Sequence, residues 1–295
     1  MSRKISVAIP IRIVHEEQYW ALLKCLNSVF TQTVKPFQVI ISVDGTKEII
    51  EHGLREQFPK DEFQVVKNHG EPGISRNSNN ALNYASGDLI HVMHGDDAII
   101  SENCYERVLQ AFEDEKCKWL ILGGETLSGM RIVPLFDQHT KFGVNRLGGP
   151  SGLITAREDY EKYDPRFSMM TDVVNFEIYF RKFGQPTIIP ESWIMYGDLQ
   201  SQASRNIPKN TVIAELKLLY LEFKTTGNEI AQVILDKHVN PFHRQLIFDA
   251  LGELVPRKIR LTFRVKYLPT RLKHKIKLFS GTWTTKKRIA TRNEK

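Results

Sequence analysis

The chain has few cysteines, no long apolar run and no internal repeat over its 295 residues. The three cysteines are Cys25, Cys104 and Cys117. Their odd number and lack of metal-ligand spacing argue against a disulfide framework and a cysteine metal site, so we expect buried free thiols. No run of about 18 apolar residues occurs, which predicts no membrane-spanning helix. The segment after Met1 is interrupted by Pro10 and Arg12, unlike a signal peptide, and we expect a cytoplasmic protein.

Acidic residues are nearly absent from the end of the chain. Residues 257–295 contain fourteen lysines and arginines and one acid, Glu294. This tail carries +13 of charge, so residues 1–256 carry −6 of the total of +7. Residues 257–279 interleave basic and apolar side chains, which favours attachment to an anionic membrane surface, here the inner face of the plasma membrane. A solvated charged helix is an equal alternative. Nucleic-acid binding is not expected, because no recognisable nucleic-acid motif accompanies the charge.

Strand and helix patterns alternate over the first 120 or so residues. Short apolar runs predict strands at 5–11, 37–43, 63–67, 89–93 and 119–122. Helical spacing of apolar residues lies between them, at 17–30, 47–58 and 73–85. The alternation predicts an α/β fold with an open, mostly parallel sheet and helices on both faces. Residues 123–152 are richer in Gly and Pro, and after Ser204 the pattern becomes helical.

The strand at 89–93 ends abruptly in His94, Gly95, Asp96 and Asp97. Ligands bind at the carboxyl ends of strands in parallel α/β sheets. Adjacent carboxylates repel each other, so both stay ionised only with solvent, a cation or a donor nearby. Oxygen ligands of this kind suit Mg²⁺ or Mn²⁺. A solvated turn is an equal alternative for this motif alone, because Gly and Asp are common turn residues.

Other predicted strand ends bring polar residues to the same edge. The first strand ends near Arg12, and the second ends at Asp44. The helix that follows the third strand begins with Gly73 and continues through Arg76 and Asn77. A helix N-terminus near a carboxylate-bound cation is suited to a diphosphate group.

Six motifs in unbroken order give the chain a family resemblance. They are SVAIPIR at 6–12, LNSVFTQT at 26–33, VIISVDGT at 39–46, GISRN at 73–77, ASGDLI at 85–90 and HGDD at 94–97. Over about residues 5–205 the sequence resembles inverting family 2 glycosyltransferases with the GT-A fold, of the type that builds bacterial envelope polysaccharides. With these motifs in order, the solvated turn becomes the weaker interpretation of Asp96 and Asp97.

The resemblance implies a donor site at this edge of the sheet. The residues it assigns to the donor nucleotide are Pro10, Ile11, Arg12, Asp44, Arg76, Asn77, His94 and Gly95. It assigns Mn²⁺ or Mg²⁺ to Asp96 and Asp97, with Asp96 as the main ligand. The sequence departs from the family's Asp-x-Asp motif at His94, which either contacts the ribose or is a neutral replacement. It departs again at Val43, where the family often has a second Asp before the Gly.

The resemblance also implies an acceptor side. The loop Gly148–Gly152 is similar to the family's acceptor loop, and Asp172 matches the position of its catalytic base. An inverting transfer needs a carboxylate to take the proton of the attacking hydroxyl, and a helix N-terminus favours its ionised form. The alternative is that Asp172 only caps this helix. Asp198 and Arg205 are further candidates near the metal or diphosphate.

The resemblance predicts a division of the chain and a reaction. Residues 1–205 form the GT-A domain, with a nucleotide-binding half at 1–100 and an acceptor half at 101–205. A helical extension covers 206–256, and a basic amphipathic tail covers 257–295. The predicted reaction moves a sugar from a UDP-, GDP- or dTDP-linked donor to a saccharide or lipid-linked acceptor. A sugar nucleotidyltransferase and a non-catalytic binder of sugar nucleotides or polyanions are the alternatives.

Overall fold

The structure is a computed structural model that describes residues 3–59, 63–198 and 207–264. Contacts divide the chain into two compact units, Met1–Thr211 and Val212–Lys295. The predicted domain boundary at 205 falls in the segment 199–206, outside the described residues. The three-part division of the chain therefore stays a prediction.

The first unit is built on one nine-stranded sheet. Its strands are β1 (Ile5–Ile11), β2 (Gln38–Val43), β3 (Gln64–Lys67), β4 (Leu89–Val92), β5 (Ala98–Ile99), β6 (Trp119–Thr126), β7 (Arg131–Ile132), β8 (Leu153–Ala156) and β9 (Thr187–Tyr196). Its helices are α1 (Glu16–Phe30), α2 (Lys47–Gln57), α3 (Ile74–Leu82), α4 (Cys104–Ala111) and α5 (Thr171–Phe183). Short 3₁₀ helices occur at Thr140–Phe142, Pro150–Gly152 and Arg157–Asp159. The predicted strand and helix positions up to β4 match these bounds closely.

The sheet is parallel in one half and mixed in the other. Its order is β3-β2-β1-β4-β8-β6-β9-β5, with β7 on β6. Strands β3, β2, β1 and β4 are parallel, as predicted. Strand β8 enters between β4 and β6 and is antiparallel to both. Two parallel neighbouring strands must be joined by a long crossover, usually a helix. The chain between β6 and β8 contains only β7 and two 3₁₀ turns, so β8 runs antiparallel to β6.

Strand β1 lies at the centre of the core, and all seven of its residues are buried. Successive side chains of a strand point to opposite faces. Ile9 and its odd-numbered neighbours pack in the cluster that contains Leu22 and Leu26 of α1. Ala8 packs on the other face with Ala81 of α3. Both faces of the strand are thus covered, which explains its continuous apolar sequence and places its end at Ile11 rigidly.

An aromatic cluster positions α5. The Trp119 ring of β6 stacks on Tyr179, with ring centres 5.6 Å apart, and on Phe176. The Trp119 indole N–H donates to the carbonyl of Gly184, just past the end of the helix, at 3.1 Å. These contacts fix the helix against the sheet, and with it the position of Asp172 in its first turn.

The second unit is helical in its described part. The helices are α6 (Lys209–Phe223), which starts just before the boundary, α7 (Gly227–Leu235), α8 (Pro241–Leu251) and a 3₁₀ turn, Gly252–Leu254. A capping box between Thr226 and Glu229 starts α7. Residues 257–264 are helical, and the rest of the predicted tail lies outside the described residues. Among all residues described, no helix is long and apolar enough to cross a membrane.

The three cysteines are free and buried, which confirms the prediction of buried free thiols. Burial raises the pKa of Cys104 to about 12 and raises that of Cys25 as well. These thiols are therefore unreactive core residues.

Candidate functional site

A cavity of about 720 Å³ opens at the carboxyl edge of β1, β2 and β4. The predicted site residues that line it are Pro10, Ile11, Arg12, Asp44, Asn77, His94, Gly95, Asp96, Asp97 and Asp172. Parallel strands end at the same edge of a sheet, which brings residues from distant parts of the sequence together. The donor side and the acceptor side predicted from the sequence thus share one cavity.

Asp44 joins two loops at the cavity wall. The Asn68 amide donates to one carboxylate oxygen at 2.5 Å, and the Gly73 N–H donates to the other at 2.9 Å. These bonds hold the start of α3 against the end of β2. A carboxylate oxygen accepts two hydrogen bonds, so each oxygen of Asp44 has capacity left for a ligand.

Asn77 lines the cavity with its amide bonded within the protein, whereas Arg76 does not line the cavity. The buried Asn77 amide accepts from the Ser42 hydroxyl at 2.6 Å and donates to the carbonyl of Ile11 at 2.9 Å. Asn77 therefore holds the end of β1 in place. The Arg76 guanidinium pairs with Glu71 at 3.2 Å and does not line the cavity. Arg76 therefore does not join the other predicted residues at the cavity, and its partner Glu71 is an exposed acid three residues before the start of α3.

The turn after β4 gathers three metal-type ligands. One nitrogen of His94 and one carboxylate oxygen each of Asp96 and Asp97 lie within 4.8 Å of one another. Gly95 makes this packing possible, because a Cβ there would lie 2.9 Å from the Ile11 side chain. The donor set combines one imidazole and two carboxylates, and it fits a divalent ion such as Mn²⁺.

Asp97 is the most constrained of these three residues. It is buried, and its oxygens accept hydrogen bonds from the Ser151 hydroxyl at 2.6 Å and the Gly197 N–H at 2.8 Å. Burial and the neighbouring Asp96 raise its pKa to about 7, although the two hydrogen bonds lower it. Asp96 is half-buried and more accessible than Asp97, whose two hydrogen bonds also connect the loops that carry Ser151 and Gly197.

Ser151 connects the acceptor loop to the strand that carries the metal-type ligands. Its hydroxyl donates to Asp97 and accepts from the His94 N–H at 2.9 Å. Its carbonyl lies 2.8 Å from the His91 ring, whose other nitrogen meets the Tyr105 hydroxyl. Sequence analysis placed the loop on the acceptor side but did not single out Ser151. Its partners are 54 or more residues away, and no local signal identifies them.

Tyr196 packs on three glycines of the same loop. A Cβ at Gly148 would lie 2.5 Å from its hydroxyl oxygen, one at Gly152 would lie 2.9 Å from the same atom, and one at Gly149 would lie 3.0 Å from its ring. The glycines thus provide the space that the ring occupies. Tyr196 lines the cavity, and its buried hydroxyl has no hydrogen-bond partner among the described residues. The glycine cluster was the only sequence signal for this contact.

Asp172 lies in the first turn of α5 and faces the cavity. One oxygen accepts from the Val173 N–H at 2.8 Å, and the other accepts from the Asn145 amide at 2.6 Å. Asn145 also donates to the carbonyl of Gly148 at 2.7 Å, which links the carboxylate to the acceptor loop. Asp172 is therefore both attached to a helix N-terminus and accessible from the cavity.

The sequence offered two further candidates, Asp198 and Arg205. Asp198 is exposed and does not line the cavity, although its neighbour Gly197 does. Arg205 lies outside the described residues.

Comparisons with known proteins find similar sequences and similar folds. Residues 6–124 match the model of the family Glycosyl transferase family 2. The glycosyltransferase GlyA of Streptococcus pneumoniae serotype 4 is 29% identical over 110 residues, which cover 36% of this chain and 15% of that protein.

Solved glycosyltransferase structures share the fold at low sequence identity. TarS of S. aureus (residues 1–349), in complex with UDP-GlcNAc, has a TM-score of 0.57 and 11% identity, with 87% of this chain and 82% of that chain covered. The mannosyltransferase PcManGT of Pyrobaculum calidifontis, in complex with GDP-Man and Mn²⁺, has a TM-score of 0.52 and 12% identity, with 97% of this chain and 84% of that chain covered. A longer TarS structure matches at 0.53 and 14% identity over 84% of this chain and 43% of that one.

These likenesses confirm the predicted fold class, and the mixed half of the sheet refines it. The chain has the mixed α/β sheet with flanking helices of GT-A glycosyltransferases, and its residues 6–124 match glycosyl transferase family 2.

Proposed function

We propose that this chain is an inverting, metal-dependent glycosyltransferase that moves a sugar from a nucleoside diphosphate donor to a saccharide or lipid-linked acceptor. One observation carries the proposal. A single cavity is lined both by the metal-type ligands His94, Asp96 and Asp97 and by the candidate base Asp172. A donor and an acceptor can therefore meet within one cavity.

The donor is assigned to the edge formed by β1, β2 and β4. Arg12 is exposed at the cavity wall and Asp44 has acceptor capacity left, so both suit contacts with the base and ribose. TarS binds UDP-GlcNAc and UDP, and PcManGT binds GDP-Man with Mn²⁺, which supports a nucleoside diphosphate sugar here. A divalent ion held by Asp96, with His94 and Asp97 beside it, would neutralise charge that develops on the leaving diphosphate.

The acceptor is assigned to the side of Asp172 and the loop Gly148–Gly152. The acceptor hydroxyl attacks the anomeric carbon while the bond from that carbon to the diphosphate oxygen breaks. Asp172 accepts the hydroxyl proton as the new glycosidic bond forms. The helix N-terminus favours its ionised form, and the Asn145 amide orients the carboxylate through one oxygen.

Calorimetry with UDP-, GDP- and dTDP-sugars, with and without Mn²⁺, tests the donor assignment. We expect at least one sugar nucleotide to bind more tightly with the metal. If none of them binds in a metal-dependent way, the proposal is wrong.

The variant Asp172→Asn tests the base. Loss of a general base costs about 10² to 10⁴ in rate, so we expect transfer to fall by that factor while donor affinity is retained. Asp114→Asn is the matched control, because this exposed aspartate bonds only locally to the Lys116 N–H and lies outside the cavity. Turnover of Asp172→Asn equal to that of the control would remove Asp172 as the base.

A proposed role in envelope polysaccharide synthesis at the membrane depends on the tail. The resemblance to that branch of the family and the charge of residues 257–279 support it. Binding of the full chain to vesicles with and without anionic lipid is the test, and equal binding to both would exclude this role for the tail.

A further inference from the structure

His94 is held in the cavity wall entirely by its backbone. Its N–H donates to the Ser151 hydroxyl at 2.9 Å, and its carbonyl accepts from the Asp97 N–H at 3.0 Å. The Cys25 thiol also approaches this carbonyl, at 3.6 Å. Both backbone groups are used, so the point from which the side chain leaves the backbone is held in place by the protein.

The His94 ring, by contrast, is available. It lines the cavity, is half-buried, and makes no hydrogen bond to the protein within the part of the chain that the structure describes. A ring nitrogen lies within 4.8 Å of carboxylate oxygens of Asp96 and Asp97. The ring nitrogens are therefore accessible from the cavity to a ligand or to water.

Two carboxylates lie beside the ring. The oxygens of Asp97 each accept one hydrogen bond from the protein, from Ser151 and Gly197, and a carboxylate oxygen can accept a second interaction. An ion in this cluster would be held by the His94 nitrogen together with carboxylate oxygens of Asp96 and Asp97, with diphosphate and water oxygens as further ligands. Such a mixed set differs from the all-oxygen surroundings that Mg²⁺ prefers.

We propose that His94 is a direct metal ligand through a ring nitrogen, and that the site consequently selects Mn²⁺ or a later first-row ion over Mg²⁺. Imidazole is a good ligand for first-row transition ions, whereas Mg²⁺ takes carboxylate, phosphate and water oxygens and gives up water reluctantly. The inference rests on the proposed function, because the diphosphate of the donor supplies the remaining ligands. His94, the residue at which the sequence departs from the family's Asp-x-Asp motif, would then determine which metal ion binds.

Electron spin-echo measurements on Mn²⁺ bound to the full chain in the presence of UDP test the proposal. A coordinated imidazole gives ¹⁴N modulation of the Mn²⁺ signal. We expect this modulation in the wild-type chain and in His69→Asp, the control, since His69 is exposed and lies outside the cavity. We expect it to be absent in His94→Asp, which restores an all-oxygen set.

Calorimetric affinities for Mn²⁺ and Mg²⁺ give a second reading. Imidazole favours Mn²⁺ over Mg²⁺, so the ratio of Mn²⁺ affinity to Mg²⁺ affinity should fall in His94→Asp, which replaces the nitrogen ligand by an oxygen ligand. The ratio of Mn²⁺ affinity to Mg²⁺ affinity should be unchanged in His69→Asp.

The outcomes separate this inference from the proposed function. Bound Mn²⁺ without ¹⁴N modulation in the wild-type chain overturns the role of His94 and leaves the glycosyltransferase proposal intact. If neither ion binds with or without UDP, the metal part of both proposals fails. The wild-type spectrum decides the question even if His94→Asp does not fold.

Discussion

Replacement of Ser151 by alanine removes the hydroxyl that joins the acceptor loop to the turn after β4. Ser151 is fully buried, and its hydroxyl donates to Asp97 at 2.6 Å and accepts from the His94 N–H at 2.9 Å. In Ser151→Ala, one carboxylate oxygen of Asp97 and the N–H of His94 each lose a hydrogen-bond partner. No other described contact in the loop replaces this pair of bonds.

The expected loss of stability follows from the two bonds. A hydrogen bond to a charged group contributes about 1.5–3 kcal/mol, and a buried N–H left without a partner costs about 1–3 kcal/mol. We therefore expect Ser151→Ala to lower the free energy of unfolding by roughly 3–5 kcal/mol. Because the pKa of Asp97 is about 7, the measurement belongs at pH 8, where most of the carboxyl is ionised.

Ser75→Ala is the matched control. Ser75 is also buried, but its hydroxyl makes one bond to a neutral acceptor, the carbonyl of Phe167, at 2.8 Å. Its loss should cost about 1 kcal/mol. Urea unfolding followed by tryptophan fluorescence compares the two variants, since Trp119 lies in the core of the same unit. An equal loss in both variants would refute the argument that Ser151 acts through a charged partner.

Three further predictions concern neighbouring residues. Burial lowers the pKa of His91 from 6.5 to about 4, so the folded chain favours the neutral ring. The stability that follows from this shift is fully present above pH 6.5, and roughly 3 kcal/mol of it is lost as the pH falls to 4. The unfolding free energy of wild type minus that of His91→Gln should show this slope, because subtraction cancels other titrating groups, and a flat difference would contradict it. Asn145→Ala should lower the transfer rate without changing donor affinity, because the groups it releases, the Asp172 carboxylate and the backbone at Leu147 and Gly148, all lie on the proposed acceptor side. Kinetics and calorimetry measure the rate and the affinity, and a changed donor affinity alone would count against it. Gly148→Ala should destabilise the chain by about 1–3 kcal/mol in urea, because its φ of +102° strains any side chain and the new Cβ meets Tyr196, and an unaffected midpoint would refute the close packing.

Local signals and strand order were sufficient for much of the site. Apolar runs that end in Asp44 and Asp96 predicted two strand ends, and parallel strands must present such ends at one edge. That geometry accounts for the cavity shared by these residues. The cluster of glycines from Gly148 to Gly152 identified the loop beside them, although not the residue that packs on it.

Other features depend on partners far away in the chain. The antiparallel entry of β8 between β4 and β6 follows from a connection without a crossover helix, which apolar periodicity does not reveal. Arg76 pairs with Glu71 instead of lining the cavity, and the sequence alone does not choose between these two positions. Asn77 lies in a motif that predicted contact with the donor. Its amide oxygen and amide nitrogen each form a hydrogen bond within the protein instead.

The covalent order of residues dictates which groups stand at strand ends and helix starts, because the periods of strands and helices are local properties of the chain. It therefore determined the α/β alternation, the Asp96–Asp97 pair and the position of Asp172 at a helix start. Folding decided which of these groups remain open to a ligand. Ser151, Gly197 and Asn145 reach their carboxylates across 27 to 100 residues of sequence, and such contacts arise only when the sheet brings the loops together.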